Sequence, residues 1–106
     1  MTIVTISDAR RFSLDAVQRS TLLREGGLEV ELLCFEAGQR DDEDRRSEAS
    51  IYQVMEGEAL LHVGDERHRI GKGKLAAVSA EEPHVIENAG GGLLVVMAHR
   101  ARSDEG

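Results

Sequence analysis

The chain has 106 residues, 41% of them hydrophobic and 31% charged, which leaves room for one hydrophobic core and excludes both a disordered and a fibrous chain. The formal net charge is -7 and the aromatic residues are only Phe12, Phe35 and Tyr52. A nucleic-acid surface needs a clustered positive field or aromatic stacking platforms, so that partner is excluded as well.

The expected elements are short and follow one another at close intervals. Residues 2–6, Thr-Ile-Val-Thr-Ile, have the β-branched character of an edge strand. Residues 13–18 are the one stretch that suits a helical turn, with Ser13 as its N-cap. Glu25, Gly26 and Gly27 form a hairpin turn, after which Leu28, Val30, Leu32 and Cys34 alternate with Glu29, Glu31 and Leu33 as a half-buried strand. Residues 40–48 are almost wholly charged and are expected as a loop or a solvated strand end. A second hairpin is expected over residues 51–63, turning at Glu56, Gly57 and Glu58, and Gly64, Asp65 and Glu66 lead into residues 68–70. Gly71 and Gly73 interrupt the rhythm, residues 75–78 and 85–86 resume it, and Gly90, Gly91 and Gly92 precede a last strand over residues 93–97. Residues 100–106 are polar and expected to fray. The whole reads as a single all-β domain of antiparallel strands spanning residues 1–106.

Cys34 is the single cysteine, so no intramolecular disulfide forms, and its apolar neighbours mark it as a small buried hydrophobe. The start of the chain lacks the basic segment and apolar stretch of a secretory signal, and the longest apolar run, residues 93–98, is far too short to span a bilayer. The expectation is a cytoplasmic protein with no membrane partner.

Two glycine-framed patterns carry a family resemblance. Gly38 and Gly57 stand at the spacing of a first motif, with Tyr52, Gln53, Val54, Met55 and Glu56 running into the second glycine. Gly73, Pro83, His84 and Asn88 fit a second motif. Over roughly residues 28–98 the chain resembles the small members of the cupin superfamily. That resemblance implies a double-stranded β-helix, the jelly-roll barrel. It also implies a metal site at the motif positions, but Asp44 and Arg46 stand where the family places two histidines and Ser50 where it places a glutamate. Ser79 and Glu81 replace the proline and glycine of the second motif. Of the usual ligands only His84 remains.

First-row divalent metals favour several imidazoles with a carboxylate, and a permanent cation at Arg46 opposes them. The expected cofactor is therefore none. The alternative is a divalent transition metal held by His84 with Asp44 and Glu48, with His62 or His99 joining from other strands, in an atypical oxygenase or isomerase. Alternation places His84 with Ile86 and Asn88 on the face that the resemblance makes the barrel interior. With Arg46 and Tyr52 also directed inward, a cation, a phenol and an imidazole would face a small organic anion, so the expected ligand-binding set is His84, Arg46, Tyr52 and Asn88. His68, among Glu66, Arg67 and Arg69, is expected at the surface. The expected partners are a small-molecule ligand in a metal-free binding or sensory role and a second copy of the chain in a homodimer. A mainly structural protein, self-associating through an acidic surface and the strand at residues 2–6, is the third possibility.

Overall fold

A computed structural model of the chain describes residues 1–41 and 48–101. The strands are β1 (Gln18–Glu25), β2 (Leu28–Phe35), β3 (Arg40–Asp41), β4 (Ser50–Glu56), β5 (Glu58–Val63), β6 (Glu66–Gly71), β7 (Leu75–Val78), β8 (His84–Asn88) and β9 (Leu94–Ala101). They form a five-stranded sheet in the order β1-β2-β9-β4-β7 and a four-stranded sheet in the order β3-β8-β5-β6. Every pairing is antiparallel. The two sheets close face to face over Leu33, Phe35, Tyr52, Val54, Leu61, Ile86, Leu94 and Val96, all buried. The antiparallel all-β architecture is the one expected from the strand rhythm, and the jelly-roll barrel is the one the resemblance implied.

Strand alternation assigns the faces. On β9, Leu94, Val96 and Ala98 point into the barrel, while Val95 and Met97 belong to a second apolar cluster on the outer face of the five-stranded sheet. On β2 the inward residues are Leu33 and Phe35, and Leu32 and Cys34 pack outside. The strand was expected to be half-buried, with Leu32 and Cys34 facing the core and Glu31 and Leu33 facing water. It is instead buried on both faces at its C-terminal end, and Glu31 lies on the barrel side.

The second cover comes from the N-terminal segment. Residues 2–5 form no strand, and Ile6–Ala9 is a short 3-10 helix. Ile6, Ala9 and Phe12 recur every third residue, the 3-10 period, and all three pack against the outer cluster. Arg10 fastens the segment with a 2.5 Å bond to Glu56 while lying 5.6 Å from the Phe12 ring centre. The helical turn expected at residues 13–18 is absent too. The Ser13 hydroxyl accepts the Asp15 amide at 3.1 Å, a local bond that competes with helix, and Gln18 already opens β1.

The hairpin expected over residues 51–63 is corrected as well. β4 pairs with β7 and β9, and β5 pairs with β6 and β8, so the chain crosses between sheets at Gly57. Gly57 has φ +87, and a Cβ there would collide with the Leu93 carbonyl oxygen. Only glycine permits that approach. The turn at Gly64, by contrast, does join a paired hairpin, β5 with β6.

Candidate functional site: a buried polar row in the barrel

A run of polar side chains crosses the otherwise apolar interior. It begins at β8, whose first residue, His84, follows a turn closed by the Glu82 amide on the Ser79 carbonyl at 3.2 Å. Glu81 in that turn has φ 61, a left-handed conformation that favours glycine, at the position where the resemblance leads one to expect glycine. The turn brings the Glu82 carbonyl to 2.9 Å from His84 Nδ1. A carbonyl only accepts, so Nδ1 carries the hydrogen of the neutral ring and Nε2 is left as acceptor. The Tyr52 hydroxyl stands 2.6 Å from Nε2 and donates to it.

Beyond Tyr52 lies Arg100. Its guanidinium carbon is 5.7 Å from the Tyr52 ring centre and its Nη2 is 3.5 Å from the Tyr52 oxygen. Its Nε donates to the Ser50 hydroxyl at 3.0 Å and its Nη1 to Glu31 Oε1 at 2.5 Å. Ser50, Tyr52, His84 and Arg100 are all buried. The row thus reads Glu31, Arg100, Tyr52, His84, with Ser50 at its side. Beneath it the barrel is packed, and Tyr52, Val54, Ala59, Leu61, Ile70, Ile86 and Val96 enclose a void of about 10 Å³, room for no more than one water.

His84 and Tyr52 are therefore brought together as expected. Asn88 shares their strand face but sits at the other end of β8, where its amide is spent on backbone. Nδ2 donates to the carbonyls of Gly92 at 2.8 Å and Glu36 at 3.1 Å, and Oδ1 accepts the Gly90 amide at 3.2 Å. It ties the loops at that end of the barrel together. Arg46 and Asp44 lie outside the described residues, and Glu48 is half-buried in the bend before β4.

The cation that does meet Tyr52 is Arg100, expected from the sequence in a frayed tail. It belongs to β9, which runs to Ala101, and it is inward by the same parity as Leu94, Val96 and Ala98. That parity was the available signal, and Glu31 shares it with Leu33 and Phe35. The other histidines are elsewhere. His99 is outward on the central strand β9, with Nε2 3.2 Å from Gln53 Oε1, and His62 pairs with Glu87 at 2.9 Å. His68 is exposed beside Glu66, as expected.

A divalent metal would find a poor donor set here. His84 Nε2 is capped by a hydroxyl, Ser50 replaces a carboxylate, and a guanidinium is hydrogen-bonded to Ser50 itself. Among the described residues no three His, Cys, Asp or Glu side chains converge. These groups, so arranged, do not suit a metal ion, which needs free imidazoles and carboxylates and no cation beside it.

Residues 31–99 match the cupin domain family. The chain belongs to that family. Solved structures agree on the fold of this cupin. A conserved Klebsiella pneumoniae protein with a double-stranded β-helix domain is similar at TM-score 0.89 and 20% identity, covering 100% of this chain and 94% of that one. A Thermus thermophilus protein gives TM-score 0.88 and 19% identity, covering 96% and 98%. The cupin domain of an XRE family transcriptional regulator from Enterobacter cloacae gives TM-score 0.76 and 11% identity, covering 83% and 98%. At these identities the likeness is one of fold. No curated protein matches the sequence.

Proposed function

We propose that this cupin is a metal-free module that binds a small organic anion, in a sensory or carrier role rather than a metal-dependent enzymatic one. The observation that carries the reading is the buried Arg100 guanidinium, set against the Tyr52 phenol, which in turn bonds the His84 imidazole. Guanidinium matches a carboxylate by two parallel N–H bonds, phenol and imidazole add directional partners, and the apolar wall excludes water. The cation–phenol–imidazole set inferred from the sequence is thus proposed with Arg100 in the place given to Arg46. The regulator from Enterobacter cloacae, which joins a cupin domain to transcription control, supports the sensory role by analogy.

The net charge of -7 favours a small solute over nucleic acid, and no helix among the described residues is long and apolar enough to cross a membrane. A cytoplasmic setting, consistent with the lone buried Cys34, and a homodimer complete the proposal.

Melting curves in acetate, malonate and succinate, at ionic strength matched with sodium chloride, test it. A bound anion at a hundredfold its Kd stabilises by about 2.7 kcal/mol, a rise on the order of 10 °C, and Tyr52→Phe should reduce that rise. Elemental analysis tests the alternative. Near-stoichiometric Fe, Ni, Mn or Zn that disappears in His84→Ala would replace this reading with an atypical metal enzyme built around His84, Asp44 and Glu48.

A further inference from the structure

The Arg100 guanidinium is not alone on its outer side. Arg19 Nη1 donates to Asp41 at 2.7 Å, Arg19 Nε stands 3.9 Å from Glu31 Oε2, and Glu31 Oε1 accepts from Arg100. Acid and base alternate along this row. Side-chain exposure falls from 28% at Arg19 through 14% at Glu31 to 3% at Arg100, so the row leads from the rim into the barrel and Glu31 is the step before the buried cation. The register explains the convergence. Arg19 pairs with the inward Leu33, beside the Thr21↔Glu31 pair on the same face, and Glu31 pairs in turn with Ala98 on β9, the inward neighbour of Arg100.

Glu31 thus has a guanidinium on each side, bonded to one and standing 3.9 Å from the other, about an ångström longer than an ordinary N–H···O bond. We propose that Glu31 is a resident stand-in for the ligand: an incoming small carboxylate takes its place on Arg100 Nη1, and Glu31 moves onto Arg19. This rests on the anion-binding reading above and specifies how the site opens. The exchange keeps one carboxylate on the buried guanidinium throughout, avoiding the uncompensated buried charge that would otherwise make entry prohibitive. Glu31 meanwhile arrives at a guanidinium nearer water, where its charge is solvated. No bond is made or broken beyond hydrogen bonds, and no proton is transferred.

Sodium acetate is the probe, titrated calorimetrically and in thermal melts of the whole chain, with sodium chloride at equal ionic strength as control. The variants are Glu31→Ala and Glu31→Gln, the second retaining an acceptor for Arg100 should the first fold poorly. In chloride Glu31→Ala should melt several degrees below the parent, and acetate should restore most of that loss. Glu31→Gln should bind acetate about tenfold more tightly than the parent, because the internal competitor has lost its charge. Acetate that binds the parent, binds neither variant more tightly and rescues nothing overturns the exchange while leaving the anion-binding reading intact. Acetate that binds none of the three proteins overturns both.

Discussion

Cys34 shows how far one residue's chemistry is set by its surroundings. Its thiol lies on the outer face of β2 beneath the N-terminal segment, against Val95 and Met97. Burial pushes its pKa up from the ordinary 9.0, outweighing the lowering effect of the Arg11 backbone and the Arg10 and Arg11 charges. In the unfolded chain the thiol ionises at its usual value, so above about pH 9 the unfolded state holds fewer protons than the native one, and stability falls as pH rises. Below that pH both states carry the proton and the residue contributes no pH dependence. The expected outcome is that an aromatic disulfide reagent labels the native protein very slowly at pH 8, at a rate that rises steeply with added urea. Rapid stoichiometric labelling without denaturant would show that the N-terminal segment does not cover this face. The residue-level reading of the sequence placed Cys34 among apolar side chains and, by alternation and the resemblance, His84 inside the barrel, and both are buried. It failed at Arg100, because a charged residue near the end of a strand looks the same whether it frays or turns inward. Here it turns onto a serine, a tyrosine and a glutamate that come from β4 and β2, far away in sequence.

At the scale of elements, Gly57 and Gly26 separate two demands that sequence merges. Both have positive φ, +87 and +59, but a Cβ at Gly26 meets nothing within 4 Å, whereas at Gly57 it collides with the Leu93 backbone. Gly26→Ala should therefore cost about 1 kcal/mol, the left-handed penalty alone. Gly57→Ala should cost more, on the order of 3 kcal/mol, and lower the melting temperature by roughly 10 °C. Equal losses in urea unfolding at the two positions would refute the close approach. A Glu-Gly-Glu turn between apolar runs says only that the chain reverses. It cannot say whether the flanking strands pair with each other or with others, since the partners of β4 and β5 come from β6, β7, β8 and β9. The existence of most strands was legible because alternation and glycine punctuation are local, but their partners were not, and the N-terminal strap lacked any period-two signal to set against its 3-10 spacing.

For the whole molecule the question is what covers the outer face of the five-stranded sheet. One end lies under Ile6, Ala9 and Phe12, while Leu28 on β2, Ile51 on β4 and Leu75 on β7 remain exposed, as do Ile3 and Val4 among the chain's first residues. Leu28, Ile51 and Leu75 lie outward by strand parity, opposite the barrel interior. Pairing two copies across this face would bury them, and it would not require self-association through a strand at residues 2–6. Sedimentation equilibrium at micromolar concentration should give twice the mass of the chain, and Ile51→Glu with Leu75→Glu should return it to the monomer. A monomer in the parent removes the homodimer from the proposal.

The place of β9 in the five-stranded sheet reaches into the history of each molecule. It is the ninth strand in sequence yet the middle one in space, pairing residues 94–101 with β2 at residues 28–35 and with β4. A nascent chain that has exposed only the first eight strands has no centre for this sheet, and β2 and β4 have nothing between them. Closure must await the passage of residues 94–101 from the ribosome, and the long loops it closes make that step slow. During synthesis, Leu32, Leu33 and Phe35 are open to other chains, so yield in the cell will depend on chaperones more than the stability of the finished barrel suggests.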